Sequence, residues 1–263
     1  RDRRRLTARE RRRRGWTYTR GVELLDRANA LLDAYASLAL AELPPGAEVV
    51  DVHTHLGTDI DGMVGDRDEL LQTQDAYGIS RSFVFCLDEP DRHPAFTAAN
   101  DRTLVHAEAA GGALVPFVRL DLDESPVDEA VRCLDRGARG IKLHPRAQRF
   151  LPDDPRLEPV FELAADRRVP ILIHGGRGLP PIADSLHRLV DRFPPAALII
   201  AHAGIVDLAA FARNFAGRSG VYFDTSVWSP LDLLDLYRVV PPEQVVYASD
   251  YPYGRQPNSL LMA

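Results

Sequence analysis

Five of the eight histidines in this 263-residue chain stand where short apolar runs end: His53, His55, His144, His174 and His202. In Val50-Asp51-Val52-His53-Thr54-His55-Leu56-Gly57 the two imidazoles are two residues apart, a spacing that on a strand turns both to one face. Two imidazoles on one face make a natural bidentate site for Zn²⁺ or a similar divalent metal such as Mn²⁺. In Gly140-Ile141-Lys142-Leu143-His144-Pro145, Lys142 and His144 share a face opposite Ile141 and Leu143. Lys142 is the single lysine among 32 Lys and Arg residues. A chain that writes Arg almost everywhere and Lys once has reason to need an amine there, since only the amine can lose its proton. Ser249-Asp250-Tyr251-Pro252 adds a carboxylate at the end of the last run. A bound divalent cation lowers the pKa of water to about 7. A carboxylate beside that water can take its proton and later deliver it to a leaving group.

The elements that position these residues repeat along the chain. Runs at Ala47–His53, Ser80–Cys86, Ala113–Leu120, Gly140–His144, Pro170–His174, Leu198–His202, Gly220–Thr225 and Gln244–Ser249 read as strands. Helical segments are expected at Asp68–Tyr77, Ala95–Ala110, Pro126–Arg136, Leu157–Arg168, Ile182–Phe193, Asp207–Phe215 and Leu231–Val239. A repeat of about 28 residues is the size of a compact βα unit. Eight such units predict an α/β fold, a (β/α)₈ TIM barrel, whose strand ends converge on one mouth. The first unit has no G-x-G-x-x-G, which removes the main support for a dinucleotide fold. Residues 47–263 are assigned to the barrel domain, 22–46 to an N-terminal helix and linker ended by Pro44-Pro45-Gly46, and 1–21 to an arginine-rich tail. The closing Asn258-Ser-Leu-Leu-Met-Ala reads as the opening turns of an eighth barrel helix, truncated in the given chain.

Composition sets the outer limits. At 45% hydrophobic and 27% charged residues the chain can bury a large core. No apolar run approaches a bilayer span, so no membrane role is expected. Two cysteines, Cys86 and Cys133, cannot form a disulfide framework and read as buried small residues, which fits a cytoplasmic protein. Net charge is −6, although residues 1–20 hold ten arginines against one Asp and one Glu. That block reads as a solvated tail, and no nucleic-acid partner is expected. A homo-oligomer is compatible with the leading helix.

Asp51-Val-His53-Thr-His55, Gly140-Ile-Lys-Leu-His-Pro145, the strand-end His174 and His202, and Ser249-Asp250-Tyr-Pro together resemble the amidohydrolase superfamily. The resemblance covers roughly residues 47–256. Its nearest branch is the amidohydrolase-related group that includes aminocarboxymuconate-semialdehyde decarboxylase and resorcylate-type decarboxylases. It implies that His53, His55 and His174 bind metal, and that Asp250 binds metal or water and acts as general base. His202 is implied either as a ligand of a second metal or as a group polarising substrate. Lys142 matches the position of a carboxylated, metal-bridging lysine in two-metal members. One-metal decarboxylases do not generally need that lysine, so one or two metals per chain are both open.

Other residues are candidates for holding substrate. His144 either contacts substrate or only shapes the turn before Pro145. Arg119, Arg146 and Arg177 follow strands and suit a carboxylate, and Trp228 is a candidate lining residue. His174-Gly-Gly-Arg-Gly178 reads as a tight turn at the site. His93, His106 and His187 fall away from strand ends and read as surface residues. The expected function is metal-dependent hydrolysis of a small amide, ester or lactone. The alternatives are a non-oxidative decarboxylase of a small carboxylated substrate and a barrel that binds metal or ligand without turnover.

Overall fold

The computed structural model describes residues 8–226 and 229–263. They divide into two units, Arg1–Pro45 and Gly46–Ala263. The first unit contains α1 (Ala8–Glu42). This helix starts well before Val22, inside the arginine-rich segment expected to be a tail. Arg and Ala are strong helix formers, and the first proline is Pro44, so nothing in the sequence stops the helix earlier.

The second unit alternates strand and helix. Its strands are β1 (Val49–Thr58), β2 (Val64–Gly65), β3 (Ile79–Cys86), β4 (Leu114–Arg119), β5 (Gly140–Leu143), β6 (Pro170–His174), β7 (Ala197–Ala201), β8 (Val221–Asp224) and β9 (Val245–Val246). Between them run α2 (Arg67–Tyr77), α3 (Thr97–Ala109), α4 (Pro126–Asp135), α5 (Glu158–Arg167), α6 (Ala183–Arg192), α7 (Leu208–Phe215) and α8 (Pro230–Val239), and α9 (Gln256–Met262) follows β9. The strands lie in the order β2-β1-β3-β4-β5-β6-β7-β8-β9. All pairs are parallel except the β1–β2 hairpin, which the sequence reading did not contain.

Hydrogen bonds close the ring between β1 and the chain after β9. Val52 N donates to Tyr247 O at 3.1 Å, Asp250 N to His53 O at 2.9 Å and His55 N to Tyr251 O at 2.7 Å. Asp51 reinforces the seam. It accepts from His53 N, Ser249 N and Gln256 Nε2 at 3.2, 3.0 and 2.9 Å. The result is the expected (β/α)₈ barrel, and the eight strands and seven helices expected from the sequence are all present. No described helix is long and apolar enough to cross a membrane.

Alternation sorts the strand side chains. Val118, Ile141, Leu143, Ile171, Ile173, Leu198, Ile200, Val221 and Phe223 face outward into the layer packed by helices. Val52, Phe85, Phe117, Leu172, Ile199, Ala201 and Ala248 fill the barrel interior. One step further along the inward face stand Arg119, Lys142, His174, Asp224 and Asp250, all buried. Both cysteines are buried, as expected, and each finds a polar partner. Cys133 Sγ lies 3.3 Å from Glu129 Oε1 and Cys86 Sγ 3.7 Å from Asn100 Oδ1.

Two tests follow. A Cβ on Gly140 would lie 2.4 Å from the Phe117 ring, which is stacked on Phe83 at 4.9 Å. Gly140→Ala is therefore expected to cost about 1–3 kcal/mol, read from the denaturant midpoint. Burial pushes the Cys86 thiol up to about 12 and raises that of Cys133 as well. Both stay protonated at pH 8, so the native protein is expected to react with a thiol reagent only at its global unfolding rate.

Candidate metal centre and its cavity

β1 does not keep a simple alternation. Val52 belongs to the interior layer, yet its neighbour His53 also faces the barrel axis. The pairing register with β3 shifts between Asp51 and Thr54, and that irregularity changes the phase of the strand. Val52 is thus placed below, with His53 and His55 above it at the mouth. Two other residues reach the site through positive φ. His202 follows β7 at φ 54° and Asp250 follows β9 at φ 59°. His202, next to the inward-facing Ala201, would point outward on a regular strand continuation.

The groups converge closely. His53 Nε2 is 3.3 Å from Asp250 Oδ1, and His55 Nε2 is 3.2 Å from the same oxygen. Lys142 Nζ is 3.2 Å from His53 Nε2. His174 Nδ1 and His202 Nε2 face one another at 3.1 Å. Ligand atoms of His53, His202 and Asp250 lie within 4.8 Å of one another.

The far sides of the rings are fixed. His53 Nδ1 lies 2.7 Å from Asp224 Oδ2, and His202 Nδ1 lies 2.9 Å from Ser226 O. Both oxygens are acceptors, so those nitrogens carry the protons and the Nε2 lone pairs point to the centre. Asp224 also accepts from His202 N at 2.7 Å and Ser226 Oγ at 2.5 Å. It therefore ties the β1 histidine to the β7 histidine. Asp224 was not among the sequence candidates. The available signal was a carboxylate at the end of the apolar run Val221-Tyr222-Phe223.

Electrostatics agree with a cation site. Burial drives His55 down to about 4 against the pull of Asp250. Burial, with Lys142 and neighbouring imidazoles, also holds His53 and His174 well below the usual range. Neutral imidazoles are the form that binds a cation. Burial alone would raise the Asp250 carboxyl, but the surrounding His53, His202 and His55 outweigh it and keep it ionised. Burial lowers Lys142 to about 7 despite the raising effect of Asp250 and Asp224. A buried set of imidazole nitrogens and one carboxylate, with the His53 and His202 protons turned outward, fits a divalent cation in type and arrangement.

Beside these groups is a cavity of about 400 Å³, bordered also by Arg119, His144, Arg146 and Tyr253. Most residues named from the sequence therefore meet at one place. Arg177 does not border this cavity. It borders a smaller one with Arg146, His174, His202 and Asp232, and its side chain is 65% exposed, 3.9 Å from Asp232. Trp228 lies outside the described residues. His93 and His187 pair with Glu124 and Asp191 away from the site, and His106 is half-buried rather than fully solvated.

Comparison with known proteins places the fold. Residues 50–262 match the model of the Amidohydrolase family (Amidohydro_2). No curated protein matches the sequence significantly. Solved structures do match. The 2,6-dihydroxybenzoate decarboxylase from Rhizobium is 15% identical with a TM-score of 0.62, over 82% of this chain and 91% of that one. The 5-carboxyvanillate decarboxylase from Sphingomonas paucimobilis is 16% identical with a TM-score of 0.59, over 82% and 92%. A probable 2-pyrone-4,6-dicarboxylic acid hydrolase from Acinetobacter baumannii is 12% identical with a TM-score of 0.59, over 81% and 87%. At these identities the likeness shows the fold. The family match spans nearly the whole barrel: the chain belongs to the amidohydrolase family and is a metal-dependent enzyme.

Proposed function

We propose that this enzyme hydrolyses a small amide, ester or lactone. The observation that carries the reading is the place of Lys142. The only lysine of the chain is fully buried, with its amine 3.2 Å from His53 Nε2, in a ring that also holds His55, His174, His202 and Asp250. His53, His55 and Asp250 would hold one divalent cation and His174 and His202 a second, with Lys142, as a carboxylated side chain, shared between them. When bound, such cations polarise a carbonyl oxygen and make water acidic enough to act near neutral pH.

The chain's own residues supply the rest. Asp250 Oδ1, beside both β1 histidines, is the acceptor for a proton from the attacking water and the donor that returns it to the leaving group. Asp224 keeps the His53 ring in one tautomer and anchors the His202 backbone, and Ser226 O keeps the His202 ring in one tautomer. The decarboxylases of like fold favour a second reading, a carboxy-lyase. That reaction would use one cation, with Lys142 as a substrate contact.

Metal content separates the two. Protein made with zinc or manganese and bicarbonate is expected to hold about two ions per chain by elemental analysis, and Lys142→Ala about one. One ion in both proteins would favour the carboxy-lyase, and a CO₂-release assay run beside a hydrolysis panel would decide it. Asp250→Asn is expected to lower kcat about 10²- to 10⁴-fold on whichever substrate turns over. Asp224→Asn is expected to weaken zinc about 10- to 100-fold by calorimetric titration, with the fold retained by circular dichroism.

A further inference from the structure

Asp250 sits at φ 59°, a backbone conformation that a non-glycine residue keeps only where its surroundings fix it. Hydrogen bonds fix it from both sides. Asp250 N donates to His53 O at 2.9 Å, and Gly254 N donates to Asp250 O at 3.0 Å. The next residue, Tyr251, gives its N–H to Ser249 Oγ at 3.1 Å and accepts His55 N on its carbonyl at 2.7 Å. The Tyr251 backbone thus follows directly on Asp250 and is tied to His55.

The Tyr251 side chain turns the other way. It does not border the cavity. It is buried with Leu56, Leu70 and Val84, between the strands and α2. Its hydroxyl reaches the start of α2. Tyr251 Oη accepts Asp66 N at 3.1 Å, and its one proton is shared between Asp66 O at 3.1 Å and Glu69 Oε2 at 3.2 Å. These partners lie within one helical turn.

That turn is itself fixed. Asp66 is the N-cap of α2, and its carboxylate accepts Glu69 N at 2.8 Å. The preceding Gly65 pairs with Gly57 in the β1–β2 hairpin, and a Cβ on Gly65 would collide with His55 O. The segment Gly65-Asp66 therefore presses on the His55 carbonyl and holds the Tyr251 hydroxyl. The short β2, which closes no part of the barrel, has its use here.

We propose that Tyr251 and Asp66 are positioning residues: the N-cap of α2, acting through the Tyr251 hydroxyl, braces the turn after β9 and keeps Asp250 Oδ1 beside both β1 imidazoles. The brace rests on these hydrogen bonds, and its consequence rests on the proposed place of Asp250 in the metal centre. Without the hydroxyl the ring still fills its place, but no polar contact ties it to α2. Asp250 is then free to leave its positive φ, which swings the carboxylate away from His53 and His55.

The test is the visible absorption spectrum of Co²⁺-loaded protein, which reads ligand set and geometry, together with calorimetric titration of Zn²⁺. Tyr251→Phe is expected to shift the cobalt bands toward those of Asp250→Asn and to weaken zinc about tenfold. Asp66→Ala, which loses the cap, is expected to do the same. Asp66→Asn, which caps equally well, is expected to keep the native spectrum and affinity. The Asp66 side chain is exposed, so this pair reports even where Tyr251→Phe fails to fold. On whichever substrate turns over, Tyr251→Phe is expected to lower kcat about tenfold with KM little changed. Tyr237→Phe removes an exposed hydroxyl bonded to Ala263 O at 2.9 Å and is expected to leave spectrum and affinity native.

A native cobalt spectrum and native zinc affinity in Tyr251→Phe, with only a lower denaturant midpoint, would overturn the brace and leave the hydroxyl a role in stability alone. Equal impairment of Asp66→Asn and Asp66→Ala would overturn the part given to the cap. A native spectrum in Asp250→Asn would instead count against Asp250 as a ligand, and so against the metal reading itself. A failed hydrolysis panel leaves the spectra and affinities in place and counts against the reaction alone.

Discussion

A barrel that buries several imidazoles, an amine and a carboxylate at its axis must decide where every proton goes, and Asp224 makes most of that decision. Its two oxygens collect the His53 Nδ1 proton, the His202 backbone N–H and the Ser226 hydroxyl. Remove that charge and His53 is free to adopt the other tautomer, with a proton facing Lys142 and Asp250. The centre would then present a donor where it needs a lone pair. In a site this dry each misassigned proton is an unsatisfied polar group, which is why one carboxylate can govern the chemistry of two strands.

The seam between β1 and the end of β9 depends on the same economy of partners. Asp51 is buried beneath His53, and it accepts from both sides of the seam and from Gln256 on α9. His53 and Asp250, which meet above it, are thus held by the joint that closes the barrel. Strand closure and site geometry are one construction here. A change that loosens the seam would separate the carboxylate from its imidazoles before it unfolded the helices.

Much of this was legible in the sequence, because alternation on a parallel strand is a strong physical rule. Ile141 and Leu143 against Lys142 and His144 is a pattern with only one sensible orientation, and the structure has it. The strand-end histidines and Asp250 were legible for the same reason. The paths that bring them in were not. The register shift in β1 and the positive φ at His202 and Asp250 are tertiary adjustments with no local residue signature. Asp224 was overlooked because a single carboxylate after an apolar run looks like any strand exit. Arg177 also follows a strand-end histidine, but it borders the smaller cavity beside His174 and His202 and not the main one. The early start of α1 was hidden by charge, since an arginine block reads as a tail unless its helix propensity is given equal attention.

The arginine bias of the chain finally explains why the cavity has two distinct kinds of cationic side. On the cavity wall, at Arg119 and Arg146, the chain carries guanidinium, which cannot lose its proton. Where the group must share a dry centre with imidazole lone pairs, it keeps lysine. Burial pushes that amine toward neutrality, whereas a guanidinium in its place would remain charged and repel any cation held by His53. The same physical distinction thus separates the guanidinium wall of the cavity from the dry centre at the barrel axis.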